Sequence, residues 1–228
     1  MSTKAVIFDL DDTLISEFEY VKSGYRAVAG VINDKKAVNK RSDSIYTELL
    51  ELFNEDHKNV FNRFLRNNGL SDEKDSVMEL VKAYREHIPD IRYYEDVLPA
   101  LKSLKDMGMI TGILSDGYSV TQRRKIGAVG AENDFDIIIL TDELGKDAWK
   151  PSPEGFRMIE EKYGLRPGEI LYVGDNPKKD FYLSKTAGIK TARIKRETGV
   201  YNNESYYEGI KEDFSIGSLT DIPGIIEE

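Results

Sequence analysis

Cysteine is absent, and histidine occurs only at His57 and His87. Disulfides and thiolate metal centres are therefore excluded, and a zinc site built from several imidazoles lacks ligands. The metal chemistry left open is a hard cation held by carboxylate oxygens. Positive charge is also scarce: 32 Lys and Arg stand against 41 Asp and Glu, a net charge of −9. That balance argues against a general nucleic-acid binder, which carries a basic footprint. Long apolar runs are missing too. No stretch approaches the roughly 18 apolar residues of a membrane span. Ala5–Phe8 falls short of the about 7–15 residues of a secretory signal core. The expectation is a soluble, cytoplasmic protein with no nucleic-acid or membrane partner. Repeats, low-complexity tracts and Gly/Ser linkers are absent, and 228 residues allow one large domain or two small ones.

Short apolar runs are what the chain does have: Ala5–Phe8, Ile110–Leu114, Ile137–Leu140, Ile170–Val173 and Thr191–Ile194. Rich in Ile, Val and Leu, they suit strands buried on both faces of a parallel sheet. A helical pattern precedes each of the last four: Val97–Met107, Tyr118–Ile126, Glu154–Tyr163 and Lys178–Ala187, each followed by a glycine that can take the left-handed conformation. The alternation predicts an α/β, doubly wound, Rossmann-like sheet of about five mostly parallel core strands. Residues 16–90 break the rhythm. They read as helices Phe18–Ile32, Asn39–Phe53, Lys58–Asn67 and Glu73–His87, with apolar positions at Leu49, Leu50, Phe53, Phe61, Phe64 and Leu65. The expected organisation is a catalytic core of residues 1–15 and 91–228 with a helical insertion at 16–90. The tail after Tyr201 carries little pattern.

Function in such sheets gathers beyond the carboxyl ends of the strands. The first run ends in Asp9-Leu10-Asp11-Asp12-Thr13, and the second in Ser115-Asp116-Gly117. The third leads to Lys150-Pro151, and the fourth to Gly174-Asp175 with Asp180 five residues on. That many acids cannot sit together uncompensated; like charges need a cation or raise one another's pKa. Mg²⁺ on oxygen ligands resolves the conflict, with Asp9 and Asp175 as expected direct ligands. The cation and Lys150 would then form a positive focus suited to a phosphoryl group. One carboxylate can serve as nucleophile, and another two residues along can move protons.

These segments resemble, in order, the four motifs of the haloacid dehalogenase-like (HAD) superfamily. The DxDxT of Asp9–Thr13, the Ser115 closing Ile113-Leu114-Ser115, Lys150 before Pro151, and the GDxxxxD from Gly174 through Asp180 carry the likeness. It spans residues 4–14 and 95–195. The resemblance implies Asp9 as nucleophile and metal ligand. It implies Asp11 as general acid/base, its backbone carbonyl on the metal. Thr13 and Ser115 would bind the phosphoryl group, with backbone donors from Asp116 and Gly117. Lys150 would neutralise nucleophile and phosphate, Asp175 would bind Mg²⁺, and Asp180 would support the site directly or through water. The insertion falls where this superfamily places a helical cap. An acid at Asp11 favours phosphate esters over carbon–halogen bonds, since an alkoxide leaving group needs a proton and a halide does not. The implied function is Mg²⁺-dependent hydrolysis of a small phosphorylated metabolite through an aspartyl-phosphate. A sugar-phosphate mutase of the same superfamily and a receiver-like signalling domain stay open as alternatives. Trp149, Phe181 and Tyr182 are bulkier than the pattern leads one to expect. Asp12 receives no catalytic role, His57 and His87 are expected to be structural or exposed, and Arg123-Arg124 is expected on a solvated helix face.

Overall fold

The computed structural model describes residues 2–226. The chain divides into two compact units, Met1–Glu17 with Ile91–Glu228, and Phe18–Asp90. The first unit is built on one all-parallel sheet in the order β3-β2-β1-β4-β5-β6. Its strands are β1 (Ala5–Phe8), β2 (Ile110–Ser115), β3 (Ile137–Leu140), β4 (Ile170–Gly174), β5 (Lys190–Ile194) and β6 (Phe214–Ile216). Four of the helices lie in the second unit apart from the first residue of α1: α1 (Glu17–Asp34), α2 (Ser42–Glu55), α3 (Val60–Asn67) and α4 (Lys74–Glu86). The first unit carries α5 (Val97–Asp106), α6 (Ser119–Val129), α7 (Glu154–Tyr163), α8 (Leu183–Thr186) and α9 (Ile222–Ile226).

Side chains alternate across the pleat, so one strand feeds two cores. Val6 and Phe8 pack with Val97, Leu101 and Leu104 of α5 and Ile126 of α6. Ala5 and Ile7 pack with Phe156 and Ile159 of α7 and Leu183 of α8. Helices therefore cover both faces, and the fold is a doubly wound α/β sheet. Each Val, Leu, Ile or Phe among them, taken from water, contributes about 1.5–3 kcal/mol.

Three details differ from the sequence expectation. The sheet has a sixth strand, β6, beyond the five expected. Helix α6 runs through Gly127 and stops at Gly130, whose φ is +71°. A single interior glycine costs a helix only about 1 kcal/mol, too little to end it. The segment expected as a helix from Lys178 coils into turns and becomes helical only at Leu183. There Asn176 N–H donates to Asp180 Oδ2 at 2.9 Å, and Lys178 N–H to Asn176 Oδ1 at 3.0 Å. Such local side-chain bonds compete with the helix ladder.

The two edge strands share a device. Asp136, just before β3, accepts from the N–H and Oγ1 of Thr111, the second residue of β2, at 2.8 and 3.1 Å. Asp213, just before β6, accepts from the N–H and Oγ1 of Thr191, the second residue of β5, at 2.7 and 3.1 Å. In both cases the aspartate's own N–H returns to the threonine carbonyl.

The second unit has its own core. Val21, Tyr25, Val28 and Ile32 of α1 pack with Ile45, Leu49 and Leu52 of α2, Phe64 and Leu65 of α3 and Leu80 of α4. Leu50, Phe53 and Phe61 lie partly buried against it. His57 stacks on Phe53 at 4.2 Å, and His87 meets Tyr84 O and Ser23 Oγ at 2.6 and 3.0 Å. Among the described residues, no helix is long and apolar enough to cross a membrane.

Candidate active site

Asp9, Ser115 and Asp175 fall at the carboxyl ends of β1, β2 and β4, three neighbours in the middle of the sheet. From β1 the chain passes to β2 on one side and later returns to β4 on the other. That reversal opens a crevice in such sheets.

Asp9, Asp175 and Asp180 converge, with one carboxylate oxygen of each within 4.8 Å of the others. All three are buried. Lys150 Nζ, fully buried, lies 3.0 Å from Asp9 Oδ1 and 3.0 Å from Asp180 Oδ1. It also donates to Tyr172 Oη. Burial opposes the charge on Lys150, but Asp180 and Asp9 hold its pKa well above the usual value. For Asp9, burial outweighs the pull of Lys150 and pushes the carboxyl up to about 6. Asp175 is driven up by burial and then by Asp180 and Asp9. Its Oδ2 is buried without a hydrogen-bond partner among the described residues. An orphaned carboxylate oxygen beside two other acids is costly unless a cation accepts it. An all-oxygen donor set of this kind fits a hard divalent ion.

Gly174 makes room for the cluster. A Cβ at this position would stand 2.4 Å from Asp180 Oδ2 and 2.9 Å from its Cγ. Gly174→Ala is expected to displace Asp180 and destabilise the fold by about 1–3 kcal/mol, the usual cost of overpacking. Urea denaturation measures it, and unchanged stability would show that Asp180 has room to move.

Asp11 lies apart from this cluster. Its Oδ1 accepts from Lys125 Nζ at 2.6 Å and its Oδ2 from Gln122 Nε2 at 2.8 Å. Burial raises its pKa, but Lys125 and these hydrogen bonds overcome that and hold it below the ordinary value. Glu17 shares Lys125 at 2.8 Å and is pushed up to about 8 by burial and by Asp11. Ser115 Oγ accepts from the same Gln122 Nε2 at 2.8 Å. Asp116 is consumed structurally. Its carboxylate accepts from Thr141 Oγ1 at 2.8 Å, Lys150 N–H at 3.1 Å and Lys179 Nζ at 2.9 Å. Burial pushes Asp116 up, yet Lys150 and Lys179 keep it below the usual range. Gly117 has φ +115°, a backbone that L side chains rarely adopt, and it turns the chain into α6. Thr13 is fully buried with no hydrogen-bond partner for its hydroxyl among the described residues. Its carbonyl accepts from Arg196 Nη2 at 2.6 Å.

The remaining sequence readings find plain places. Asp12 is buried and caps the segment that follows it: it accepts from Glu17 N–H at 3.0 Å, at the start of α1, and from Val200 N–H at 2.9 Å. Trp149 meets Tyr118 edge to face at 6.5 Å, so its bulk packs between two loops. Phe181 is fully buried, 6.0 Å from Tyr206, and Tyr182 donates to Glu208 at 2.9 Å. Arg123 pairs with exposed Glu143. Sequence reasoning missed Glu17, Gln122, Lys125, Lys179, Tyr172 and Arg196. Gln122 and Lys125 stand one turn apart on α6, a spacing visible in sequence, but nothing there reveals their partner more than a hundred residues away.

Comparison with known proteins gives the family. The family model described as haloacid dehalogenase-like hydrolase matches residues 6–194. Glyceraldehyde 3-phosphate phosphatase of Methanopyrus kandleri is 30% identical, over 99% of this chain and 97% of its own. Pyrophosphatase PpaX of Bacillus cereus is 25% identical, over 100% and 98%. Among solved structures, a HAD phosphatase from Thermococcus onnurineus aligns with a TM-score of 0.62 at 26% identity, covering 98% of each chain. The HAD hydrolase YfnB from Bacillus subtilis, solved bound to magnesium, aligns with a TM-score of 0.68 at 18% identity, covering 100% of each.

Proposed function

The chain belongs to the haloacid dehalogenase-like hydrolases, and from that premise we propose that it is a Mg²⁺-dependent phosphatase of small phosphorylated metabolites. The observation that carries this reading is the buried Asp9–Lys150–Asp180 bridge, with Asp175 Oδ2 unpartnered beside it. In the proposed reaction, Asp9 attacks phosphorus and the P–O bond to the leaving alkoxide breaks. The alkoxide takes a proton from Asp11, which Lys125 and its hydrogen bonds hold ionised in the free site and which therefore takes up that proton as substrate binds. Asp11 then removes a proton from water, and the resulting hydroxide attacks phosphorus, so that the aspartyl-phosphate splits into phosphate and free Asp9. Lys150 balances charge on Asp9 and the phosphoryl oxygens. Ser115 Oγ, Thr13 Oγ1 and the backbone N–H groups of Asp116 and Gly117 are the proposed phosphoryl donors. Asp9, Asp175 and Asp180, with the carbonyl of Asp11, are the proposed holders of Mg²⁺. The ion supplies positive charge for the transferring group. The helical unit Phe18–Asp90 is proposed as a cap that selects the substrate, as lids in this role exclude water.

The test is phosphate release from a metabolite panel with and without Mg²⁺. Glyceraldehyde 3-phosphate and inorganic pyrophosphate head the panel, because relatives over nearly the whole chain carry those names. No release from any member would sink the reading. The metal should also show in stability. The carboxyl of Asp9 goes from 3.8 to about 6, and that of Asp175 is raised as well. The share of Asp9 is stability that is fully present below about pH 4 and lost as pH rises through about 6, and Asp175 acts in the same direction. A divalent cation replaces the missing protons. Mg²⁺ should therefore raise Tm more at about pH 8 than at about pH 5. Equal shifts at both would count against these acids as ligands.

A further inference from the structure

Lysine is seldom buried, because its ammonium loses hydration worth several kcal/mol. Lys125 is 3% exposed. Its Nζ sits between two carboxylates, 2.6 Å from Asp11 Oδ1 and 2.8 Å from Glu17 Oε2. One turn earlier on α6, Gln122 gives Nε2 to Asp11 Oδ2 and to Ser115 Oγ, both at 2.8 Å. Both oxygens of Asp11 are thus held, from one face of one helix. Glu17 holds the same ammonium at 2.8 Å, so Lys125 has a second anchor besides Asp11.

We propose that Lys125, seconded by Gln122, is a positioning residue that sets where the Asp11 carboxylate stands and so governs proton transfer to the leaving group. The inference rests on the phosphatase reading, in which Asp11 is the general acid/base. The seat is made of polar groups that contribute little net stability when buried. A buried ion pair is commonly no more stabilising than apolar packing of the same volume. What it does confer is a fixed place and direction for one carboxylate. The same Gln122 amide touches Ser115, so the position of the proton donor is tied to that of the proposed phosphoryl-binding hydroxyl. Lys125 itself acts on the substrate only through Asp11.

A general acid matters most when the leaving group is a poor one. An alkoxide needs the proton, whereas p-nitrophenolate leaves without it. The experiment compares wild type, Lys125→Met, Asp11→Asn and the double variant on an alkyl phosphate and on p-nitrophenyl phosphate. The first turnover of the aryl ester is followed separately, because later turnovers need Asp11 as base. Lys125→Met is expected to lose on the order of 10²-fold in kcat on the alkyl ester, within the range of general acid catalysis, with KM little changed. Its first-turnover release of p-nitrophenol should stay within several-fold of wild type. The double variant should be no slower than Asp11→Asn alone, since two residues acting through one group are not additive. Gln122→Leu, which leaves the buried charges balanced, should show the same leaving-group selectivity at smaller amplitude. It carries the test if Lys125→Met does not fold. Equal losses on both esters, or a double variant slower by the product of the single effects, would overturn the role of Lys125. So would a Gln122→Leu variant with no selectivity. A wild type without Mg²⁺-dependent release would overturn the phosphatase reading itself and this inference with it.

Discussion

Asp9→Asn is expected to abolish metal-dependent phosphate release, by roughly 10⁴-fold or more, because an amide of the same shape cannot form the acyl-phosphate. The loss should fall on kcat for every substrate, good leaving group or poor, which separates it from any defect at Asp11. The phosphorylated intermediate, trapped by acid quench and found by mass on the peptide holding Asp9, should vanish with it. Folding should not suffer. Asp9 is one of three acids whose oxygens lie within 4.8 Å, and burial already pushes it up to about 6. Removing its charge relieves the others while Lys150 keeps Asp180 at 3.0 Å. Without metal, the variant's Tm should equal or exceed that of wild type, the usual consequence of relaxing a site built for function. Retained turnover would place the nucleophile elsewhere.

Lys150→Met should fail in the opposite manner. It removes the positive charge between Asp9 and Asp180 and leaves three buried carboxylates facing one another. Breaking a buried pair on one side costs about 3–5 kcal/mol. The cost should depend on pH. Without the ammonium, the folded-state pKa values of Asp9 and Asp175 rise further above their unfolded values, so the native state binds more protons than the unfolded chain. Stability then falls as pH rises from about 4 through neutrality. Chemical denaturation at about pH 5 and about pH 8 should show the larger deficit at the higher pH. Adding Asp180→Asn should recover part of it. A Lys150→Met protein as stable as wild type at neutral pH would mean that its acids are compensated by other groups.

The strands and the acids were legible in sequence for one physical reason. A parallel sheet buries both faces, so each inner strand is a run of Ile, Val and Leu, and the first polar residue after it marks the sheet edge. Asp9, Ser115 and Asp175 are such residues. Strand β6 escaped because Phe214–Ile216 has three residues with one polar among them, and its position follows from Asp213 reaching Thr191. The partners of the acids escaped for another reason. Lys125 meets Asp11 across 114 residues, Lys179 meets Asp116 across 63, and Arg196 meets Thr13 across 183. Each looks in sequence like an ordinary solvated cation. Pairing at that separation is a property of the closed fold, and no local pattern encodes it.

The aspartate–threonine staples before β3 and β6 divide labour between the two ends of the sheet. They pin the outermost strands at their amino ends, where no proposed chemistry sits. A one-residue slip would turn every side chain of an edge strand to the wrong face, and the staples oppose it from the amino end. At the carboxyl ends the hydrogen bonds instead run among the loops that carry the acids, as from Thr141 Oγ1 to Asp116 at 2.8 Å. Register and chemistry are thus secured at opposite ends of the same strands, so a substitution in either staple should disturb the edge of the sheet before it disturbs the cluster of acids.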